Sequence, residues 1–256
     1  MLTELLAGAV ADAEQRRAAR PLSVVEAAAA SQPPAIDALS VLAPADQVKI
    51  IAEVKRASPS RGTLAQILDP AALAVSYEFG GASAISVLTE GRKFLGSLAD
   101  LEQVRSAVRI PVLRKDFIGL PYQVFEARAA GADMVLLIVA ALDQSTLVSL
   151  HDLVRQLGMT ALVEAHSADE VDRAVSIGAS LVGVNARDLT TFQLDQDLFG
   201  RLADRIPSGV VRVAESAVQT AADVAHYRAA GADIVLVGEA LVTSNPIRTL
   251  SEFLAV

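Results

Sequence analysis

From residue 49 onward, short apolar runs alternate with stretches whose apolar positions recur every three to four residues. The runs fall at 49–54, 84–88, 111–115, 133–138, 160–164, 181–185, 210–215 and 234–238. Near-continuous hydrophobic runs of this length read as strands of a parallel sheet buried on both faces. Helical spacing fills the gaps, for example over 97–108, 121–130, 144–157, 168–177 and 220–230. Eight strands with helical crossovers predict an α/β protein with a single closed (β/α)8 barrel.

A short signature recurs at 80–86 (GGASAIS), 130–135 (AGADMV), 177–182 (IGASLV) and 230–235 (AGADIV). Each copy reads as a helix end, a glycine, a tight loop and a strand. Glycine enters the left-handed C-cap conformation at little steric cost. The signature therefore speaks to fold and not to activity. Ahead of it, residues 1–20 carry apolar side chains at 2, 5, 6, 10 and 13, a helical period that Pro21 stops. Ser23 and Glu26 have capping-box spacing for a second short helix, which Gln32-Pro33-Pro34 would end. Nothing in 1–45 alternates strand with helix, so this part reads as a helical extension packed on a barrel spanning 46–256.

Six of the runs end on a charged or amide residue: IIAEVK (50–55), PVLRKD (111–116), ALVE (161–164), LVGVN (181–185), VVRVAE (210–215) and IVLVGE (234–239). In a closed barrel those ends converge on one mouth, where such folds keep their catalytic groups. Glu53 and Lys55 lie two apart on one strand and share a face. If Val54 packs outward, both enter the mouth as a proton-transfer pair; a structural salt bridge is the alternative. Lys115 is a candidate general acid or, if desolvated as a neutral amine, an imine former. Glu164 is a candidate base or a helix N-terminal partner. Asn185 and Arg187 offer an amide and a forked cation. Ser58 and Ser60 add hydroxyls, Glu215-Ser216 close the seventh strand, and Gly238-Glu239 close the eighth, where barrels often hold phosphate.

Thirty acidic against twenty-two basic side chains give a net charge of −8, which argues against nucleic acid and anionic membranes as partners. Yet Lys55, Arg56, Arg61, Arg92, Lys93, Arg114, Lys115 and Arg187 gather at or after strand ends, which suits a small anionic ligand. Arg56, Arg92 and Lys93 are equally well explained as partners of neighbouring carboxylates. The chain has no cysteine, so disulfides, thiolate catalysis and Cys-ligated metals are excluded and a cytoplasmic location is expected. The apolar stretch 134–142 is too short for a bilayer, and the N-terminus lacks the basic region of a signal peptide. The three histidines have no metal-ligand spacing. His166, just past Glu164, is a candidate for acid–base work but reads first as a loop hydrogen-bonder, His151 and His226 read as surface residues, and Tyr122 and Phe125 as core.

The stretches EVKRASPSRG, SVLTEGRKFLGSLADL, LRKDFIGLPYQVFEARAAGADMVLLIVAAL, VEAHS, GVNARDL, VAESAV and VLVGEALV, in this order, resemble the indole-3-glycerol-phosphate synthase family. The likeness spans the barrel and, more loosely, the extension. It implies a carboxy-lyase of tryptophan biosynthesis with no metal and no cofactor. The implied substrate is an anthranilate-derived phosphosugar, 1-(2-carboxyphenylamino)-1-deoxyribulose 5-phosphate, which is cyclised, decarboxylated and dehydrated. By the same resemblance Lys115 protonates the carbonyl oxygen, and Glu164 faces the cationic nitrogen or takes a proton. Glu53 and Lys55 transfer protons and bind substrate anions, while Asn185 and Glu215 orient these groups. Ser58, Arg187, Ser216, Gly238 and Glu239 match substrate and phosphate contacts, and Phe94 and Phe117 flank the anthranilate ring. Ala217 departs from the family's usual glycine and would be strained if its φ is positive. Gly119 is unusual in the third βα loop and is expected to loosen it. A monomer is expected, with association with other tryptophan-pathway enzymes left open.

Three rivals remain at this level. Phosphoribosylanthranilate isomerase uses a cysteine base that this chain lacks. A Schiff-base phosphosugar aldolase would use Lys115 as its amine. A non-catalytic barrel would be missing acid–base residues at the mouth, and none is missing.

Overall fold

The computed structural model describes residues 1–188 and 191–256. Eight strands close into a barrel: β1 (Lys49–Val54), β2 (Ala84–Leu88), β3 (Val112–Lys115), β4 (Met134–Ile138), β5 (Thr160–Ala165), β6 (Leu181–Asn185), β7 (Val211–Glu215) and β8 (Ile234–Val237). Each pairs in parallel with its neighbours in sequence. β8 closes on β1 with Ile50 opposite Val235. The helices α1 (Leu2–Ala19), α2 (Leu22–Ser31) and α3 (Ala38–Leu42) precede the barrel. Then α4 (Pro70–Phe79), α5 (Leu98–Ala107), α6 (Pro121–Ala129), α7 (Gln144–Gln156), α8 (Ala168–Ser176), α9 (Leu198–Leu202) and α10 (Ala221–Ala229) follow β1 to β7 in turn, and α11 (Glu239–Val242) and α12 (Pro246–Leu254) follow β8.

The helix starts are local chemistry. The side chains of Asp69, Ser97, Asp143, Ser167 and Thr220 each accept a backbone N–H of the helix they open. The four signature glycines, Gly81, Gly131, Gly178 and Gly231, all have positive φ, so the helices reverse into strands where glycine permits it.

Strand alternation sorts the side chains into two apolar layers. Ile50, Ala52, Val54, Ile85, Val87, Val112, Val135, Val163 and Val182 face outward and meet the helices. Ile51, Ala84, Leu113, Met134, Leu136, Leu162, Leu181, Val213, Ile234 and Leu236 face inward and fill the barrel. Ala38 and Leu42 of α3 join the inner layer, and Lys49 at the start of β1 donates to the carbonyls of Val41 and Ala43. Thus α3 lies at the N-terminal floor of the barrel. Leu5 and Ala9 of α1 join the same layer beside Phe117, at the opposite end.

Two expectations are corrected. Ser23 and Glu26 form no capping box: α2 begins at Leu22 with Pro21 as N-cap and no side-chain cap. The fixed φ of Pro21 starts the helix one position before Ser23 could cap it. His151 is buried, not exposed. It shares the inward stripe of α7 with Leu147, Leu150 and Val154, so helical spacing decides its place despite its polarity.

Candidate active site

The C-terminal strand ends hold a ring of buried charge. On β1, Val54 packs outward, which turns Glu53 and the following Lys55 into the mouth. There they pair at 2.7 Å. Lys115, the last residue of β3, lies 3.3 Å from Glu164 of β5 and 3.4 Å from Glu215 of β7. Asn185 ends β6 opposite Glu215 in register, and its Oδ1 accepts from the Ser216 hydroxyl at 2.8 Å and from the Arg187 N–H at 3.0 Å. Glu53, Glu164 and Glu215 are each almost wholly buried.

Burial by itself would raise every carboxyl pKa here and lower the lysine's. Around Glu53 that effect is outweighed by the ammonium charges of Lys55 and Lys115, and its pKa lies below the ordinary value. Glu164 is likewise raised by burial but lowered more by Lys115 and His166, so it is held as a carboxylate. Burial would also discharge Lys115, but Glu164, Glu215 and Glu53 reverse this and push its pKa well up. Glu215 goes the other way. Burial and the charge of Glu164 raise it well above the ordinary value, and Lys115 offsets only part of this. Neither of its oxygens has a well-aligned hydrogen-bond donor among the described residues. These directions favour the ammonium at Lys115 and the carboxylate at Glu53 and Glu164, and leave Glu215 as the one of the three carboxyls pushed toward its protonated form.

This ring forms the floor of one cavity, and all thirteen residues singled out from the sequence line it. Phe94 and Phe117 stand 6.0 Å apart, tilted by 42°, and with Leu5, Leu88, Leu136 and Ile138 they make one side apolar. Ser58, Arg187, Ser216, Gly238 and Glu239 make the other side polar. Gly238 allows a close approach: a Cβ there would stand 2.6 Å from Glu53 Oε1 and 3.0 Å from Lys55 Nζ. Ser58 sits in a two-residue ribbon, Ala57–Ser58 against Gly62–Thr63, that hangs over the mouth from β1. Glu239 is held by Arg61 from that same loop. Leu189, the last residue of the GVNARDL stretch, lies outside the described residues.

Several basic residues at strand ends do not face the cavity. Arg114 turns outward into a fully buried network with Asp116, Glu126 and the Gln123 carbonyl. Arg56 pairs with Asp100 and Arg92 with Asp12 of α1, which are neutralising contacts. Gly119 does not loosen its loop. Leu6 and Val10 of α1 would each lie 3.0 Å from a Cβ there, so the position is a close contact.

Sequence reasoning missed several supporting residues, some of them with partners remote in the chain. Leu5 reaches the cavity from α1. Buried Glu90 accepts the backbone N–H groups of Arg92 (2.9 Å), Lys93 (2.7 Å) and Phe94 (2.9 Å), which fixes the loop that presents Phe94. Thr89 donates to Asp116 at 2.6 Å, and Asp116 accepts the Phe117 N–H at 2.8 Å. Gly183 of β6 leaves room for Glu215, because a Cβ there would collide with its carboxylate. The run of three N–H acceptances by Glu90 had a faint signal in the TEGRKF segment, an acid followed by a glycine turn. Leu5 and Gly183 had none.

A family model described as indole-3-glycerol phosphate synthase matches residues 2–252. The chain belongs to the indole-3-glycerol phosphate synthase family. It is 73% identical over 253 residues to the indole-3-glycerol phosphate synthase of Leifsonia xyli subsp. xyli (strain CTCB07), covering 99% of this chain and 97% of that one. It is 58% identical over 248 residues to that of Mycobacteroides abscessus, covering 97% and 91%. With that of Mycobacterium tuberculosis (strain ATCC 25177 / H37Ra) it shares 56% over the same lengths. Among solved structures, thiamine phosphate pyrophosphorylase from Pyrococcus furiosus superposes with a TM-score of 0.61 at 15% identity, over 81% of this chain and 93% of that one. N-acetylmannosamine-6-phosphate 2-epimerase from Clostridium perfringens gives 0.62 at 15%, over 82% and 93%. At that identity the likeness shows the barrel fold alone.

Proposed function

We propose that this cavity performs the indole-3-glycerol phosphate synthase reaction of tryptophan biosynthesis as a carbon–carbon lyase, converting 1-(2-carboxyphenylamino)-1-deoxyribulose 5-phosphate to indole-3-glycerol phosphate, CO₂ and water. The observation that carries the reading is Lys115: an ammonium set between Glu164 and Glu215 in a cavity apolar on one side and polar on the other. The aromatic ring enters between Phe94 and Phe117, and the phosphate lies toward Ser58, Arg187, Ser216, Gly238 and Glu239. Fixing both ends brings the ring carbon that bears the carboxylate against the ketone carbon, a proximity gain.

As the ring carbon attacks, the ketone oxygen takes a proton from Lys115 and becomes a hydroxyl. The substrate nitrogen lends its lone pair and becomes cationic, and carboxylate Glu164 faces that charge. The carboxylate then leaves as CO₂, and the electrons of the broken bond neutralise the nitrogen. Loss of the hydroxyl as water needs one proton delivered to it and one removed from the adjacent carbon. The Glu53–Lys55 pair supplies an acid and a base for that step. Asn185 orients this array through Ser216 and Arg187. Two protons are delivered and one is recovered, so each turnover draws one proton from solvent to restore Lys115, and the proposal invokes no metal and no cofactor.

The aldolase reading requires a neutral amine at Lys115, and the acidic groups around it, Glu164 foremost, outweigh burial and push that side chain toward the ammonium. Residues 1–45 belong to the catalytic unit in this proposal, since Leu5 lines the cavity. Among the described residues no helix is long and apolar enough to cross a membrane, and none of their side chains gather as a metal-binding group. We place the enzyme in the cytoplasm as a monomer acting on this one small anionic substrate. The test is the appearance of indole fluorescence from the ring-open substrate. Lys115→Ala is expected to lower kcat by roughly 10²–10⁴-fold while substrate still binds. Near-normal turnover in that variant, or a borohydride-trapped adduct on Lys115, would sink the assignment.

A further inference from the structure

His166 lies in the turn between β5 and α8, two residues past Glu164, with its side chain only 12% exposed. Its backbone N–H donates to Glu170 Oε2 at 2.8 Å, and its ring Nδ1 lies 3.3 Å from the same oxygen. Glu170 is itself fixed in the first turn of α8, where its N–H donates to the N-cap hydroxyl of Ser167. The far nitrogen, Nε2, is buried with no hydrogen-bond partner among the described residues and lies at ion-pair distance, 3.4 Å, from Glu164 Oε1. Lys115 meets the other oxygen, Oε2, at 3.3 Å. Each oxygen of Glu164 therefore has its own nitrogen neighbour, and only one of these belongs to the mechanism above.

The protonation of the ring follows from its partners. Glu170 Oε2 accepts the backbone N–H, so it is an acceptor toward Nδ1, and Nδ1 carries a hydrogen. A neutral imidazole has one N–H. With that hydrogen on Nδ1, Nε2 would turn a lone pair toward Glu164 Oε1, and two lone pairs would oppose each other inside the protein. An imidazolium beside the Glu164 carboxylate avoids this and holds one proton in the gap.

We propose that His166, held by Glu170, is a positioning residue for Glu164: it keeps one proton on the Nε2–Oε1 contact, so that Oε1 is occupied and Oε2, beside Lys115, is the oxygen left to face the substrate. The charged groups facing the ring are Glu164 from β5, Glu170 from α8 and Lys115 from β3. Burial and Lys115 disfavour the imidazolium, Glu170 and Glu164 favour it, and the balance lifts the histidine above its ordinary value. The inference rests on Glu164 being a catalytic carboxylate.

Two measurements on the full chain test it. The first is an NMR titration of the histidine Cε1–H signals, with His166→Gln providing the assignment. The His166 midpoint is expected above the ordinary histidine value of about 6.5 in the wild type, and at or below it in Glu164→Gln. An unchanged midpoint in Glu164→Gln would overturn the contact. The second is kcat against pH. His166→Gln is expected to lose about tenfold in kcat near pH 7, equivalent to ~1.4 kcal/mol, with KM little changed. It is also expected to lose the alkaline decline that follows the His166 midpoint. Glu170→Gln, which leaves His166 in place, is expected to move that decline to lower pH. A decline that persists in His166→Gln, or stays put in Glu170→Gln, would overturn the positioning role. An enzyme with no turnover of the ring-open substrate would instead overturn the reading of the site, and the titration would still decide the contact.

Discussion

At Glu215 the folded protein favours the protonated carboxyl more than the unfolded chain does, because burial and Glu164 raise the acid well above its ordinary value. A raised native value adds stability that is complete below the unfolded value of about 4.3 and is lost as pH climbs through the native one. Glu215→Gln keeps the shape and removes the titration. Its melting temperature is expected to exceed that of the wild type by a margin that widens from pH 5 to pH 9, while kcat falls. A margin independent of pH would contradict the neutral acid. Two residues on, Ala217 has φ of 55° and follows Ser216 at 69°, so the loop after β7 is left-handed at two non-glycine positions. Ala217→Gly is expected to gain about 1 kcal/mol in urea denaturation and to lower KM, since the loop lines the polar side of the cavity. An unchanged KM would separate the strain from substrate binding.

Among the elements, the loop from β2 to α5 depends most on one side chain. Glu90 gathers three N–H groups, Leu95 is left-handed at φ 57°, and Gly96 leaves no room for a Cβ against the Leu88 carbonyl. Glu90→Ala is expected to raise KM about tenfold, near the ~1–3 kcal/mol expected when charge-assisted hydrogen bonds are lost, with a smaller change in kcat. Equal losses in both would mean that the loop touches the chemistry itself. The strands were legible to within a residue because each is one apolar run, and alternation then sent Glu53, Lys55, Lys115, Glu164, Asn185 and Glu215 inward. The same alternation sends Arg114 outward, which clustering of cations at strand ends concealed. Leu5 was not legible as a site residue because its role depends on atoms far along the chain; Glu90 left only a faint local signal, and His166, though close in sequence to both partners, read first as a loop hydrogen-bonder. His151 was legible but misread, since its polarity was weighed above its period.

Across the whole molecule, a single buried network joins the extension to the barrel. Arg114, with no exposed surface, donates to Asp116 and lies 3.5 Å from Glu126, and Glu126 in turn accepts a forked pair from Arg16 of α1 at 2.6 and 2.8 Å. Arg114→Ala removes the buried cation between Asp116 and Glu126, leaving Glu126 only Arg16 and Asp116 only the Thr89 and Phe117 donors, and is expected to cost about 3–5 kcal/mol in chemical denaturation. Arg16 is 39% exposed on its side chain, and Arg16→Ala is expected to cost no more than about 1 kcal/mol. Equal penalties would mean that α1 carries more of the fold than its contacts indicate.

Gly183 belongs to a different strand from the acid it accommodates, and the two are thirty-two positions apart in sequence. A designer who transplants Glu215 into a foreign barrel must therefore carry over the notch in the adjoining stave as well. Without that hollow the incoming carboxyl would be shouldered toward solvent, where it would lose the burial that raises it and behave as an ordinary surface acid.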